Sequence, residues 1–298
     1  GSEMCIRDSI ISFIIGPLTI KKLQQYQIGE EIRSNGPESH LAKRGTPTMG
    51  GVIIILSTLL PTLLFSDLSN IMVLIIALST LWMGVIGFID DYLKIIIKAK
   101  DGMIARYKMI GQILLGVIIS YAIINSNDFN GFNTKTTIPF FKNFEFDFGI
   151  FYPLLVILVI TATSNAVNLT DGLDGLAIGL LAICFTVFTA ISYISGRVDF
   201  SDYLNILYLP KASELSIFAS AAVGACLGFL WFNSSPAEIF MGDTGSLSLG
   251  AALGTMSILL KKELLLFIIG GVFVMETLSV IIQVSFFRYT KYKYGEGK

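Results

Sequence analysis

Residues 71–94 read IMVLIIALSTLWMGVIGFIDDYLK: nineteen uncharged residues, 71–89, stop on two adjacent aspartates, with a lysine at 94. A hydrocarbon core about 30 Å thick takes roughly 20 apolar residues of helix to cross. The stretch therefore predicts a membrane span with charge at its mouth. Further spans follow at Gly50–Phe65, Met109–Ile124, Ile150–Val167, Leu176–Ile194, Ile217–Phe232, Ser246–Leu260 and Leu264–Phe287, with a partial one at Ile10–Ile20. None of these runs alternates with the period-two pattern of a barrel strand. No internal repeat of the kind found in many transporters is visible. The expected fold is an all-α polytopic membrane protein with about nine transmembrane helices, the first of them partial.

Composition agrees. Of 298 residues, 53% are hydrophobic and 14% charged, and the mean hydropathy is +0.73. A soluble domain of this size needs more polar surface, so the bilayer is part of the solvent. Cys5, Cys184 and Cys226 show no paired spacing, which argues against a disulfide framework. His40 is the only histidine, which weighs against a histidine metal site or a His-centred triad. Residues 1–9 are polar, do not resemble a signal peptide, and are expected to be a leader outside the fold. Residues 10–293 then form a single transmembrane domain, and 294–298 a cut-short loop.

Alternating spans assign each loop to one of two faces. One receives fourteen lysines and arginines, among them Lys43, Lys94, Arg106 and Lys108, and the other receives six. The positive-inside rule makes the richer face cytoplasmic. The segments Asn125–Gly149 and Ser195–Ser216 fall on the opposite side and read as ordinary polar loops.

Four polar segments far apart in sequence share the cytoplasmic face: 43–51, 90–94, 165–175 and 233–245. Carboxylates at that depth are costly unless paired, hydrated or bound to a cation. Asp90 and Asp91 repel one another, and Lys94, one turn on, suits either a local ion pair or a site that holds both acids ionised. In 168–175, Asp171 and Asp174 each precede a glycine, a pattern that serves a tight turn or the close approach of a ligand. Asp243, between Gly242 and Gly245, caps a helix or ligates Mg²⁺. Phe240 packs at the interface or offers a face to a base. Lys43, Lys94 and Arg106 anchor the cytoplasmic side or neutralise phosphates. Acids for a metal and bases for phosphate at a lipid boundary point to phosphoryl transfer involving a membrane lipid.

The motifs GTPTMGG at 45–51, FIDDYLK at 88–94, NAVNLTDGLDGLA at 165–177, FMGDTGSLSLG at 240–250 and ETLSVIIQV at 276–284 carry a resemblance that runs from about Gln27 to Phe287. The chain resembles the MraY-type phospho-N-acetylmuramoyl-pentapeptide transferases, within the wider group of polyprenyl-phosphate N-acetylhexosamine-1-phosphate transferases. The resemblance implies a Mg²⁺-dependent transfer of phospho-MurNAc-pentapeptide from UDP-MurNAc-pentapeptide to undecaprenyl phosphate. The products would be lipid I and UMP, in peptidoglycan synthesis at the bacterial cytoplasmic membrane. Carried over residue by residue, it makes Asp243 the Mg²⁺ ligand and Asp90 and Asp91 the pair acting on the lipid phosphate. Asn168 and Asp171 become further active-site positions, and Lys43, Thr48 and Lys94 fall on the phosphate side. Gly172, Leu173, Asp174, Asn233 and Phe240 become the uridine pocket. A nucleic-acid partner is not expected, and a homodimer is one option for assembly.

The family pattern continues past the last span with a histidine-rich loop and one more helix, whereas the sequence stops at Lys298. The polypeptide as written is therefore expected to be inactive or badly impaired, and the natural full-length protein to be a transferase. The competing expectations are a GlcNAc-1-phosphate transferase, separable by its nucleotide-sugar preference, and an ion-coupled transporter, which would move substrate without releasing UMP. A non-catalytic scaffold is the weakest of the three, because all four segments keep their motifs.

Overall fold

Ten α-helices and one short hairpin occupy the described residues, 46–98, 102–129, 131–141 and 144–294, of the computed structural model. The expected leader, the partial span Ile10–Ile20, Lys43, His40 and residues 295–298 lie outside them. In chain order the helices are α1 (Gly51–Phe65), α2 (Ile71–Ile95), α3 (Ala105–Ile124), α4 (Tyr152–Thr170) and α5 (Leu176–Ser195). They continue with α6 (Val198–Leu204), α7 (Leu215–Asn233), α8 (Gly242–Leu259), α9 (Glu263–Ile269) and α10 (Gly271–Tyr294). Among the described residues, six helices are long and apolar enough to cross a membrane (α2, α3, α4, α5, α7 and α10), and α1 is a shorter apolar helix. The chain is thus an all-α polytopic membrane protein, with six such helices where the sequence suggested about nine.

Two faces of α2 show how the bilayer acts on this fold. Met72, Ile76 and Met83 are fully buried, yet Leu74, Leu78, Leu81 and Val85 on the other face are about half exposed. A helix that is apolar all round has one side for the protein and one for lipid. Asn70 starts the helix by accepting the Met72 N–H at 3.0 Å.

The centre of the bundle is α8, which is buried along its length from Thr244 to Leu259. Its sequence, GDTGSLSLGAALGTMSIL, is rich in small residues, which let helix backbones approach closely where apolar burial drives nothing. A methyl group at Gly250 would meet Ser164 Cα at 2.7 Å, and one at Gly254 would strike the Thr163 hydroxyl, so α4 crosses α8 along this pair. A methyl at Gly51 of α1 would fall on the Gly245 backbone, and one at Gly87 of α2 on the backbone of Asp243. These last two contacts fix the N-terminus of α8 against α1 and α2.

Three regions depart from the sequence reading. Within Asn125–Gly149, β1 (Lys135–Thr137) pairs antiparallel with β2 (Glu145–Asp147) in the register Lys135↔Asp147, Thr136↔Phe146 and Thr137↔Glu145. Strands of three residues are too short for their alternation to stand out. Segment Ser195–Ser216 carries α6 and a 3-10 turn at Ala212–Glu214 rather than plain loop. The span expected at Leu264–Phe287 breaks at Gly270 (φ −91°, ψ 23°) into α9 and α10, where two glycines lower helix propensity.

After the break, α10 packs mainly on α4 and α9, and 6% of its apolar window is buried. Between α4 and the α9–α10 pair runs a groove of about 390 Å³, lined largely by apolar side chains from Val159 to Val167 on one wall and Leu266 to Ile281 on the other.

Candidate active site

The last turn of α2 presents Asp90, Asp91 and Lys94, and the N-terminus of α8 presents Asp243 beside them. Oxygens of the three carboxylates lie within 4.8 Å of one another. Like charges that close demand compensation, and two lysines supply it. Lys94 Nζ is 2.5 Å from Asp90 Oδ2 and 3.3 Å from Asp243 Oδ2. Lys108 Nζ, from the first turns of α3, is 2.8 Å from Asp90 Oδ2 and 2.5 Å from Asp243 Oδ2. Asp90 is wholly buried, whereas the Lys94 side chain is 40% exposed and that of Lys108 17%. The loop before α3 closes over Asp90: Gly102 (φ +61°) turns the chain, and the Met103 N–H donates to Asp90 Oδ1 at 2.7 Å.

The two adjacent aspartates have different work. Asp91 accepts the Asp243 N–H at 3.1 Å, the Thr244 N–H at 2.9 Å and the Thr244 hydroxyl at 2.6 Å. It therefore caps α8 from a neighbouring helix and satisfies N–H groups that would otherwise be orphaned. Asp243, for which a capping role was one reading, instead points its carboxylate at the lysines. The donors that hold Asp91 leave Asp90 and Asp243 as the carboxylates facing the cations.

Segment 47–51 locks onto 240–241 beside this cluster. Phe240 N–H donates to Pro47 O at 2.8 Å, Gly50 N–H to Phe240 O at 2.9 Å, and Gly51 N–H to Met241 O at 2.8 Å. The pairing brings Thr48 to Gly242, which has φ +71°; a methyl there would sit 2.7 Å from Asp91 Oδ2 and 2.9 Å from the Thr48 hydroxyl. Gly242→Ala is accordingly expected to combine left-handed strain of about 1–3 kcal/mol with displacement of Asp91. Turnover should fall at least tenfold, and the detergent melting temperature should drop; an unchanged rate would show that the turn tolerates a side chain.

A second tier ties α3, α4 and α8 together beneath the acids. Asn165 Nδ2 donates to Gln112 Oε1 at 3.1 Å, Gln112 Nε2 to Ser164 Oγ at 3.4 Å, and Ser164 Oγ to Leu247 O at 3.2 Å. Ser246 Oγ donates to Asn168 Oδ1 at 3.3 Å, which sets Asn168 beside the residue one helical turn along α8 from Asp243. Asp171 caps the end of α4. Asp174 Oδ2 accepts the Ala237 N–H at 3.4 Å, and Asn233 bridges two loops, accepting Gly175 N–H at 3.0 Å and donating to Ile239 O at 2.9 Å. Gly172 and Leu173 are exposed, and Phe240 is half-buried.

One of the expected residues stands apart from this geometry, and another is not described. Arg106 is exposed, with its guanidinium 5.1 Å from the Tyr107 ring centroid, and Lys43 lies outside the described residues. The second cation at the acids is Lys108, which sequence reasoning counted only as a loop charge. Lys108 and Gln112 are one turn apart on α3, and that shared polar face at the start of an apolar helix was the available signal.

Carboxylates and lysines gathered at the mouth of a helical membrane bundle make a site suited to phosphate chemistry at a lipid boundary. The model of glycosyl transferase family 4 matches residues 73–261, and the phospho-N-acetylmuramoyl-pentapeptide-transferase signature 1 matches residues 43–55. The chain is 49% identical over 289 residues to the phospho-N-acetylmuramoyl-pentapeptide-transferase of Chloroherpeton thalassium, covering 97% of this chain and 78% of that protein. It is 50% identical over 284 residues to the protein of the same name from Citrifermentans bemidjiense, covering 94% and 77%. The relative from Pelodictyon phaeoclathratiforme is 48% identical over 298 residues, covering 100% and 81%. The chain belongs to the phospho-N-acetylmuramoyl-pentapeptide-transferase family.

Proposed function

We propose that undecaprenyl phosphate attacks UDP-MurNAc-pentapeptide at the acid–lysine cluster, giving lipid I and UMP. An acceptor-phosphate oxygen bonds to the phosphorus next to the sugar, and the bond from that phosphorus to the bridging oxygen breaks, leaving with UMP. The observation that carries the reading is the meeting of Asp90 and Asp243 with Lys94 and Lys108 at the ends of membrane helices. The names of the relatives point the same way.

The donor set suits Mg²⁺, a hard cation that takes one or two carboxylates and completes its shell with water and phosphate. Asp243 with Asp90 would hold it, because their Oδ2 atoms meet side-chain ammonium groups that can move aside, whereas Asp91 is committed to the fixed N–H groups at the start of α8. Bound there, Mg²⁺ would offset the charge of the diphosphate and of the departing UMP. Lys94 and Lys108 neutralise phosphate oxygens from either side, with Thr48 and Lys43 on the phosphate side, while Arg106, turned to the Tyr107 ring, is left to anchoring at the membrane face. An ionised phosphate is already a nucleophile, so Asp90 has mainly to position it. Asn168 and Asp171 complete the active site from the end of α4. Gly172, Leu173, Asp174, Asn233 and Phe240 form the uridine side, with the Phe240 ring as stacking face.

The apolar groove between α4 and α10 takes the acceptor's hydrocarbon chain, since it opens beside Asn165 under the cluster and is dressed for lipid. The excess of basic residues on the face that carries the acids supports an active site that opens to the cytoplasm at the bacterial cytoplasmic membrane.

The test uses full-length enzyme in lipid nanodiscs with undecaprenyl phosphate, Mg²⁺ and each nucleotide sugar in turn. UDP-MurNAc-pentapeptide should yield UMP and lipid-linked product one to one, and chelation of Mg²⁺ should stop both. Preferred turnover of UDP-GlcNAc would move the chain to the other transferase class. Uptake of substrate into vesicles without UMP release would make it a transporter, a class whose sites usually lie near the bilayer midplane rather than at helix ends.

A further inference from the structure

A second buried charged cluster lies at the other end of α8, about 27 Å of helix from Asp243. Lys261 follows the last turn of α8 in a left-handed conformation (φ +58°), and its side chain is fully buried. Its ammonium donates to the Tyr152 hydroxyl at 2.7 Å and to the Asn133 carbonyl at 3.0 Å. It also lies 4.4 Å and 4.9 Å from the ring centroids of Tyr152 and Phe129. The Tyr152 hydroxyl donates in turn to Glu263 Oε1 at 3.3 Å, and the Thr136 hydroxyl donates to Glu263 Oε2. One phenolic oxygen thus stands between a buried cation and a buried anion, accepting from the first and donating to the second. Burial pulls the Lys261 ammonium down to about 8, against the opposing pull of the Glu263 charge.

Buried charges are costly to keep, and such a cluster is weak evidence for stability on its own. What it joins is informative. Tyr152 is the first residue of α4, one wall of the apolar groove. Glu263 is the first residue of α9 and itself lines the groove. The opposite wall is completed by α10, which is mostly exposed and is held by α9 and α4. The hairpin adds a brace: Thr137 donates from its hydroxyl to Lys261 O at 2.7 Å, and Lys262 Nζ donates to that hydroxyl at 3.0 Å.

We propose that Lys261, Tyr152 and Glu263 are positioning residues that clamp the two walls of the groove at the end away from the acids, and so set its affinity for the acceptor's polyprenyl chain. The link to the acceptor rests on the proposed reaction, whereas the clamp itself does not.

Tyr152→Phe keeps the ring beneath the ammonium and removes only the bridging hydroxyl. In the full-length enzyme it should raise KM for undecaprenyl phosphate about five- to tenfold, the net worth of one ordinary hydrogen bond. Both kcat and KM for the nucleotide substrate should stay within about twofold of wild type, because the acids lie several helical turns away. Glu263→Gln keeps an acceptor for the hydroxyl and should give a smaller rise in the same constant.

An independent readout places spin labels on the two walls, in Ala162→Cys and Thr277→Cys with Cys5→Ser, and measures their separation in a bilayer. The distribution should be narrow in the parent and broader with Tyr152→Phe. A distribution left narrow by Tyr152→Phe overturns the clamp. Equal changes in both KM values, or a fall in kcat alone, overturn its role in acceptor binding. Broadening with an unchanged lipid KM contradicts the acceptor assignment and leaves the clamp standing.

Discussion

Asp243→Ala in the complete enzyme is expected to lower kcat by about a thousandfold or more, while membrane insertion and helix content stay as in wild type. The size follows from losing a carboxylate that would hold Mg²⁺, and with it the compensation of charge on the departing UMP, a kind of stabilisation whose removal typically costs about 10²–10³. The fold should survive because α8 is capped by Asp91, whose contact at residue 243 is to the backbone N–H that alanine retains. Lys94 and Lys108 keep Asp90 as an ion-pair partner. Transfer is read as UMP released from UDP-MurNAc-pentapeptide, and the fold as circular dichroism and melting in detergent. Near-normal lipid I formation by this variant would remove Asp243 from the metal-binding role.

Lys108→Met should lower kcat/KM by about 10²–10³ fold through loss of a charge-assisted contact to the phosphates. Methionine preserves much of the stem, so packing along α3 is little changed. The cation requirement provides a sharper sign. In the structure Lys108 occupies Asp243 Oδ2 at 2.5 Å, so the ammonium competes with any divalent ion for that oxygen. With it gone, Asp90 and Asp243 share only the half-exposed Lys94, and their mutual repulsion favours an incoming cation. The Mg²⁺ concentration giving half-maximal rate should therefore fall even as the maximal rate collapses. A variant that keeps its maximal rate would show Lys108 to be a surface charge; one that needs more Mg²⁺ would show that it assists the metal rather than competing with it.

Much of the fold is legible in the sequence because lipid imposes a simple rule: long uncharged runs become helices, and their ends face water. The run 71–89 and the acids that close it predicted α2 and the depth of Asp90 and Asp91. Alternation then placed Asp243 on the same face. What stayed hidden depends on how helices cross. Lys108 reaches the acids only because α3 packs beside α4 and leans its first turns over α2, and no local pattern encodes that. The split between Asp90 and Asp91 was equally opaque: adjacent residues on one helix point to different neighbours, and only the N-terminus of α8 decides which becomes a cap. The break at Gly270 was visible as two glycines, but the apolar residues on both sides read as one continuous span. The cluster at Lys261 is not encoded locally, because its parts come from the end of α8, α9, α4 and the hairpin, and lysines in a short loop read as solvated charge.

The central claim is that the carboxylates of α2 and α8 form, with the two lysines, the place where the diphosphate is held. The most direct measurement loads full-length enzyme with Mn²⁺ and UDP and records electron–nuclear coupling between the metal and phosphorus. Phosphorus coupling in wild type that disappears in Asp243→Ala is the predicted result. The same coupling in both proteins would place the diphosphate somewhere other than this cluster.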